Sequence, residues 1–233
     1  MRVLGLIPAR GGSKALPRKN IRLLRGKPLL QYTAEAALAS RIISRSILTT
    51  DDEEIAEVGR ACGLEVPFLR PAGLGRDDTP TLPVIQHALN WLEEQGDLFD
   101  VICLLEPTSP IRQPGLIDSC LDLLRASGAD SVVTVVPIPA EYNPHWVYFR
   151  SPDGKLLLAT GEPDPIPRRQ DLPPAYRRNG SVYVSRRDVI MKQDSIYGMH
   201  SVGCVVDGEE SVNIDDNADW QRAEEMLKAL GSN

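Results

Sequence analysis

The sequence predicts an α/β fold: a mainly parallel sheet with helices on both faces. Short apolar runs recur along the chain, and segments with helical spacing of apolar residues separate them. This alternation is typical of right-handed βαβ units on a parallel sheet. A length of 233 residues, with 42% hydrophobic residues, is enough for one large core. We therefore expect a single domain over residues 1–233.

The individual elements follow from the same hydrophobic pattern. Strands are predicted at residues 3–7, 46–50, 101–105, 131–136, 181–185 and 202–206. Helices are predicted at residues 28–40, 81–95, 113–127, 188–193 and 217–230, and one more carries Ile55, Val58 and Cys62 and ends at Gly63. Asp51 and Asp52 precede that helix and are expected to cap it, as Asp216 is expected to cap the last helix.

Residues 138–174 depart from this pattern and are predicted to form an arm inserted into the domain. The segment is rich in proline and lacks helical spacing, and runs 147–150 and 155–159 are expected to pair as an exposed hairpin. It carries three aromatic residues close together, Trp146, Tyr148 and Phe149. An arm of this kind usually packs on another surface, so we expect a homodimer that uses it; a mobile surface loop is the alternative.

Composition and charge argue against several classes of function. The net charge of -6 does not suit a general nucleic-acid-binding surface. No apolar run is long enough to span a membrane, and the first strand follows Met1 without a signal-peptide pattern. The four cysteines are scattered without a CxxC pair, which fits a reducing compartment. We expect a cytoplasmic protein with neither a nucleic-acid nor a membrane partner.

The segment after the first strand is basic and rich in glycine, in a chain that is otherwise acidic. Its cations lie within a short stretch: Arg10, Lys14, Arg18 and Lys19. Gly11 and Gly12 allow a tight turn that exposes backbone N–H groups. The carboxyl end of the first strand is where an α/β sheet places a phosphate site. We predict an anion site here rather than a solvated basic turn, although the loop has neither a GxGxxG nor a Walker A pattern.

Short segments along nearly the whole chain resemble, in order, those of the acylneuraminate cytidylyltransferases (CMP-sialic acid synthetases). They are ARGGSK (9–14), LP (16–17), KN (19–20), TDD (50–52), LRPA (69–72), LEPTSPIR (105–112), RQ (169–170), RRNGSVY (177–183) and VNID (212–215). The resemblance implies a Rossmann-like sheet of the nucleotidyltransferase type and a dimer with exchanged arms. It also implies that CTP reacts with a sialic-acid-like nonulosonic acid, a 2-keto-3-deoxy sugar acid. The anomeric hydroxyl would attack the α-phosphate directly and give a CMP-sugar and pyrophosphate.

The resemblance, together with the chemistry of the loop, gives a set of nucleotide-binding residues. They are Arg10, Ser13, Lys14, Lys19, Asn20, Arg70 and Thr81. Arg10 and Lys19 are expected to be catalytic, because displacement at phosphorus depends on positioning and charge neutralisation, and the resemblance places Lys19 at the α-phosphate. Asn20 offers the donor and acceptor that a cytosine edge requires, although spacing alone fits a turn residue or helix cap equally well.

The predicted sugar-binding residues rest on the resemblance. They are Glu106, Arg169, Asn179 and Tyr183. Arg169 suits a sugar carboxylate. The family usually has glutamine at the position of Glu106, and an ionised glutamate can only accept hydrogen bonds. This departure argues against the usual sialic acid, whose acyl-amide carbonyl needs a donor.

The predicted cofactor is Mg²⁺, with Asp215 as a ligand and Asn213 as a weaker one. The family typically has aspartate at both positions. Because one carboxylate is lost at Asn213 and one is gained at Glu106, two explanations stay open. Either Glu106 helps to hold the metal, or it accepts a hydrogen bond from a hydroxyl or ammonium group of the sugar; we slightly favour the second.

Two other functions remain open at this point. A cytidylyltransferase for another sugar acid, such as the eight-carbon acid Kdo, is the nearer one, although ARGGSK and Asn179-Gly180 argue against it. The other is a nucleotide-binding module without catalysis, which the loss of a carboxylate at Asn213 suggests.

Overall fold

One six-stranded sheet organises the chain in the computed structural model, which describes residues 1–13, 15–207 and 211–230. The strands are β1 (Val3–Pro8), β2 (Leu23–Leu24), β3 (Lys27–Pro28), β4 (Arg45–Thr49), β5 (Val101–Leu104), β6 (Ser131–Pro137), β7 (Tyr148–Arg150), β8 (Leu156–Leu158), β9 (Tyr176–Arg186) and β10 (Ser201–Val205). The large sheet has the order β10-β6-β9-β5-β1-β4. Only β9 runs antiparallel to its neighbours there, so the prediction of a mainly parallel sheet is confirmed.

Helices cover both faces of this sheet, as predicted. They are α1 (Leu29–Leu38), α2 (Glu53–Ala61), α3 (Thr81–Glu94), α4 (Leu116–Ser127), α5 (Arg187–Lys192) and α6 (Asn217–Leu230). Alternate residues of β1 point to opposite faces. Val3 therefore belongs to the apolar cluster that α1 and α4 complete, and Leu4 to the cluster that α3 completes. No helix in the described part of the chain is long and apolar enough to cross a bilayer.

Most predicted element boundaries lie within two residues of the observed ones, with two larger differences. Helix α4 begins at Leu116 rather than residue 113, because Pro114 disfavours a helical residue before it and Gly115 is left-handed (φ 78°). Strand β9 begins at Tyr176 rather than residue 181. Its first half is polar and its pairing with β6 shifts register between Val133 and Val135, so it lacks the apolar run of a buried strand.

Of the three aspartates predicted to cap helices, Asp52 caps α2 and Asp216 caps α6. Asp52 Oδ1 accepts a hydrogen bond from the N–H of Ile55 (3.0 Å), and Asp216 Oδ1 accepts one from the N–H of Asp219 (2.9 Å). The prediction that Asp51 also caps α2 is wrong. Its side chain contacts the loop after β1 and Arg70 instead.

The arm is the long connection between β6 and β9, which are adjacent antiparallel strands. Within it β7 and β8 pair antiparallel, which confirms the predicted hairpin. Phe149 lies directly opposite Leu157, and these side chains are 67% and 59% exposed, whereas Leu158 is buried. The hairpin therefore has one apolar face that the chain itself leaves uncovered.

Candidate active site

The loop after β1 is fixed by contacts with the segment after β4. The N–H of Ala9 donates to the carbonyl of Thr49 (3.0 Å), and the N–H of Gly11 donates to Asp51 Oδ1 (3.2 Å). A Cβ atom on Gly11 would lie 2.7 Å from the carboxylate of Asp52, so glycine permits this close approach. The chain therefore bends at Gly11 as predicted, but the N–H group of this residue is bonded to Asp51 and not exposed.

Arg18 differs from the other cations of the loop because it pairs with carboxylates of the α2 N-terminus. Its guanidinium pairs with Asp52 (2.6 Å) and with Glu54, and its backbone is left-handed (φ 57°). The hydrogen bond to Asp52 is the main cause that raises the pKa of Arg18. Arg18 thus ties the loop to the N-terminus of α2.

A cavity of about 290 Å³, the first cavity, opens where β1 and β5 end, between Pro8 and Glu106. The predicted nucleotide-binding residues that line it are Arg10, Ser13, Lys19, Asn20, Arg70 and Thr81. Lys14, the remaining one, lies outside the described residues. Both predicted metal ligands, Asn213 and Asp215, line the same cavity. The first cavity therefore brings together residues from near both ends of the described sequence, such as Arg10 and Asp215.

Lys19 reaches into the first cavity from the loop. Its Nζ donates to the carbonyl of Ile214 (2.7 Å) and lies 3.6 Å from Asp215 Oδ1. Burial lowers the pKa of Lys19, and Asp215 opposes this effect. A partly desolvated ammonium group of this kind gains strongly from an anion placed beside it.

Arg70 is a buried cation with a single carboxylate contact among the described residues. Its guanidinium, 3% exposed, donates to Asp51 Oδ1 at 3.1 Å. Burial lowers the pKa of Arg70. Its Nε is buried and has no hydrogen-bond partner among those residues. Asp51 thus holds an arginine that lines the first cavity, a contact that the local sequence pattern did not reveal.

Asn20 and Asp77 both fix Arg10. Asn20, 7% exposed, donates from Nδ2 to the carbonyl of Arg10 at 3.1 Å, and Asp77 pairs with its guanidinium. Sequence reasoning missed Asp77 and its neighbour Arg76, which also line the cavity. The charged run Arg76-Asp77-Asp78 was the sequence feature that could have pointed to these two residues. Since the observed contact of Asn20 is with the backbone of Arg10, recognition of the cytosine base by Asn20 stays a prediction.

A second cavity, of about 530 Å³, adjoins the first. Its lining residues are Glu106, Arg177, Arg178, Asn179, Gly180, Tyr183 and Asn213. Three of the predicted sugar-site residues are among them, and Arg177 is an addition. Arg169 lies on an exposed turn, Arg169–Asp171, and is not among the described residues that line either cavity. Its contact with a sugar stays a prediction.

Glu106 and Asn213 line both cavities and so mark their boundary. Glu106 follows β5, and burial raises its pKa. Asn213 donates from Nδ2 to Asp215 Oδ2 (2.7 Å), and its Oδ1 lies 3.5 Å from Ser109 Oγ. The boundary therefore presents side-chain oxygen atoms of Glu106 and Asn213, with Asp215 beside them in the first cavity.

Asn179 and Tyr183 are positioned by β9. The Oδ1 atom of Asn179 accepts hydrogen bonds from Thr134 Oγ1 (2.6 Å) and from the N–H of Ser181 (3.2 Å). Tyr183 is 9% exposed, and burial raises its pKa to about 12, so its hydroxyl keeps its proton at neutral pH. Hydrogen bonds thus fix Asn179 and burial confines Tyr183, and both residues line the second cavity.

This fold and the paired cavities define the class: a nucleotidyltransferase, with a basic loop after the first strand of a mainly parallel sheet. The family model described as Cytidylyltransferase matches residues 4–227. The chain therefore belongs to the cytidylyltransferase family and is an enzyme of the acylneuraminate cytidylyltransferase type.

Relatives and one solved structure agree over almost the full length. The CMP-N,N'-diacetyllegionaminic acid synthase of Legionella pneumophila is 34% identical over 235 residues, which are 98% of this chain and 97% of that protein. The pseudaminic acid cytidylyltransferase of Campylobacter jejuni is 31% identical over 228 residues, 98% and 97% of the two chains. The structure of CMP:2-keto-3-deoxy-manno-octonic acid synthetase complexed with CTP superimposes with a TM-score of 0.76, covering 99% of this chain and 100% of that one. At 18% identity this last match shows the shared fold.

Proposed function

We propose that this enzyme joins CTP to a sialic-acid-like nonulosonic acid and releases a CMP-sugar and pyrophosphate. The observation that carries the proposal is the boundary formed by Glu106 and Asn213, where the basic first cavity opens into the second. Two substrates bound in these cavities would meet at that boundary. The names of the relatives from Legionella pneumophila and Campylobacter jejuni support a nonulosonic acid as the second substrate.

The first cavity suits the triphosphate of CTP. Arg10 offers an arginine fork to phosphate oxygens, and Lys19 offers a partly buried point charge. The uncapped N-terminus of α3, at Thr81, adds backbone N–H groups and the positive end of a helix dipole. In the proposed reaction these groups neutralise charge as the anomeric hydroxyl attacks the α-phosphate and pyrophosphate departs.

The second cavity suits an acidic sugar. Arg177 and Arg178 both line it, and the charge of Arg178 acts on Glu106 and Tyr183 in the same wall. A carboxylate pairs well with an arginine fork. Asn179 and Tyr183 supply polar groups that β9 holds in place. We propose that Arg169 completes the site from the arm of a second copy, since its own turn is exposed and it is not among the described residues that line either cavity.

The oxygen donors at the boundary fit Mg²⁺ as a cofactor. This ion uses one or two carboxylates together with substrate phosphates and water molecules. Asp215 would hold it, with Asn213 Oδ1 as a weaker ligand, and both line the cavity assigned to the triphosphate. When bound, the ion would neutralise part of the triphosphate charge. Among the described residues no group of three or more His, Cys, Asp or Glu side chains forms a metal site.

We further propose that the enzyme is a cytoplasmic homodimer whose arms pack on each other. Support for the dimer comes from the exposed pair Phe149 and Leu157 on the hairpin. Reduced thiols fit a cytoplasmic location, since Cys62, Cys103, Cys120 and Cys204 are all free.

The test is pyrophosphate release from CTP and Mg²⁺ with a panel of 2-keto-3-deoxy acids. The panel contains N-acetylneuraminic, diacetyllegionaminic and pseudaminic acids and Kdo. We expect saturating turnover with at least one nonulosonic acid. Turnover with Kdo alone would replace the proposed substrate class. Intact CTP binding without turnover on any acid would identify a nucleotide-binding module instead.

A further inference from the structure

Arg112 joins both walls of the second cavity without lining that cavity. Its Nη2 donates to the carbonyl of Glu106 at 2.7 Å, and its Nε donates to the carbonyl of Ser181 in β9 at 3.0 Å. A third donor, Nη1, bonds Thr33 Oγ1 in α1 at 2.8 Å. Glu106 stands on one wall, and Ser181 directly follows Gly180 on the other. One guanidinium therefore bonds both walls just beyond Leu104 and Tyr183, the pair at the end of the β5–β9 ladder.

These contacts require an arginine. Its planar group holds several N–H donors in a fixed fork, so three acceptors on three different elements are bound at once. A lysine in the same place has a single nitrogen and a different reach. Burial lowers the pKa of Arg112 to about 10, which leaves the group charged at neutral pH. All three acceptors are neutral oxygens, so the bonds are charge-assisted without a direct ion pair.

The contacts of Arg112 do not extend to the residues assigned to CTP. Lys19 is held by Ile214, Arg70 by Asp51, and Arg10 by Asn20 and Asp77. A change at Arg112 reaches the first cavity only through Glu106 and the two residues after it, whereas the cations assigned to the triphosphate keep their own partners. We therefore expect its main effect on the sugar side of the site. This separation makes a positioning role distinguishable from a general loss of structure.

We propose that Arg112 is a positioning residue for sugar-acid binding, which fixes Glu106 relative to the segment 179–181 and touches neither substrate. The inference rests on the proposed function, because it assigns the second cavity to the sugar acid. It goes further by giving the LEPTSPIR segment (105–112) a second role: Arg112, its last residue, holds Glu106 in position.

A third cavity makes this role testable by chemical rescue. Arg112 lines it together with residues of α1, α4 and α6, among them Tyr32, Leu116 and Leu227, and its volume is about 340 Å³. A small cation that enters this space can reach the position of the lost guanidinium. Removal of the side chain by Arg112→Ala should thus create a site for free guanidinium.

The first measurement compares Arg112→Lys with wild type, using the panel acid on which wild type is most active. We expect kcat/KM for the sugar acid to fall by about tenfold or more, since small misplacements of reacting groups have large effects on rate. The Kd for CTP, measured without sugar by calorimetry, should stay unchanged. An unchanged sugar KM and kcat in Arg112→Lys would overturn the proposal, as would an equal loss of CTP affinity.

The second measurement adds millimolar guanidinium chloride to Arg112→Ala, which should recover part of the lost kcat/KM. Arg112→Lys, whose side chain fills the space, should not respond. Arg125→Ala, which removes an exposed arginine of α4, serves as the control for effects of the salt itself. Absence of rescue in a folded Arg112→Ala protein would count against positioning by the guanidinium; if this variant does not fold, Arg112→Lys decides alone.

Failure of the proposed function has a different signature. In that case wild type itself turns over no acid of the panel. Hydrogen exchange of the full chain then tests Arg112 without substrate: Arg112→Lys should speed exchange in residues 105–111 and 179–182 and leave β1 and β4 protected as in wild type. Equal exchange in both proteins would overturn the positioning role.

Discussion

Lys19 donates a hydrogen bond from Nζ to the carbonyl of Ile214 at 2.7 Å, although 195 residues separate the two. The contact ties the loop after β1 to the segment before α6. It also places the lysine 3.6 Å from Asp215, a proposed Mg²⁺ ligand. The proposed phosphate and metal sites thus share one wall, because both ends of the chain meet at the first cavity.

Replacing Lys19 by alanine should slow turnover far more than it destabilises the fold. Loss of one group that neutralises transition-state charge typically lowers kcat by about a hundredfold or more. The lost hydrogen bond, from a charged donor, contributes only about 1.5–3 kcal/mol to stability. Pyrophosphate release at saturating substrates and thermal unfolding measure the two effects. Lys27→Ala is a matched control, because Lys27 is exposed and pairs with Glu35; near-normal kcat in Lys19→Ala would remove the loop from the mechanism.

Asp51→Ala should weaken CTP binding and destabilise the protein. The change leaves the guanidinium of Arg70 buried without its carboxylate, which typically costs about 3 kcal/mol. It also removes the acceptor for the N–H of Gly11. Urea unfolding and CTP calorimetry check this expectation. Glu53→Ala, which breaks the exposed pair with Arg60 nearby, should change neither, and equal effects of the two substitutions would contradict the prediction.

The sequence predicts the elements of this fold well wherever a buried face creates the pattern. The run 101–105 and the spacing of Ile85 and Leu89 follow directly from burial against the sheet. The first half of β9 could not be found in this way. Its residues Arg177 and Arg178 are exposed and line a cavity, so no apolar alternation marks them as a strand.

The residues of the candidate site were predictable where short segments resemble the family. They were less predictable where contacts between distant parts of the chain determine what a side chain does. Asp51 and Asp52 both fit the local pattern of a helix cap. Only the contact with Arg70, 19 positions later, separates their roles. Likewise, nothing in the neighbourhood of Arg112 shows that its partners lie in α1 and β9.

Glu106→Gln should separate the two explanations for this carboxylate. If Glu106 accepts a hydrogen bond from a donor on the sugar, the variant should raise the sugar KM and leave the Mg²⁺ titration of activity unchanged. If Glu106 helps to hold the metal, the variant should shift the Mg²⁺ titration far more than the sugar KM. We expect the first pattern, since Glu106 also lines the cavity assigned to the sugar. A shifted Mg²⁺ midpoint with a normal sugar KM would reject it.

The same variant should change how stability depends on pH. Burial raises the pKa of Glu106, so the folded protein binds this proton more tightly than the unfolded chain does. The resulting stabilisation is complete below the ordinary glutamate pKa of about 4.3 and is lost as the pH rises through the raised value. Glu106→Gln carries no such charge, so its stability relative to wild type should increase with pH. Urea unfolding in EDTA at several pH values measures this difference; a constant difference would contradict the expectation.

Charged substitutions on the uncovered face of the hairpin should separate the proposed dimer into monomers. Phe149 and Leu157 form a cross-strand pair that is largely exposed in the single chain, so a double change to glutamate would place two carboxylates in the proposed interface. Light scattering after size-exclusion chromatography should report a dimer for wild type and a monomer for the variant. Lys155→Glu, in the turn between β7 and β8, adds a carboxylate outside this pair and should remain dimeric. Because Arg169 is proposed to act on the second copy, the monomer should also lose sugar affinity while it retains CTP binding. A monomeric wild type, or a dimeric double variant, would show that the arm does not form the interface.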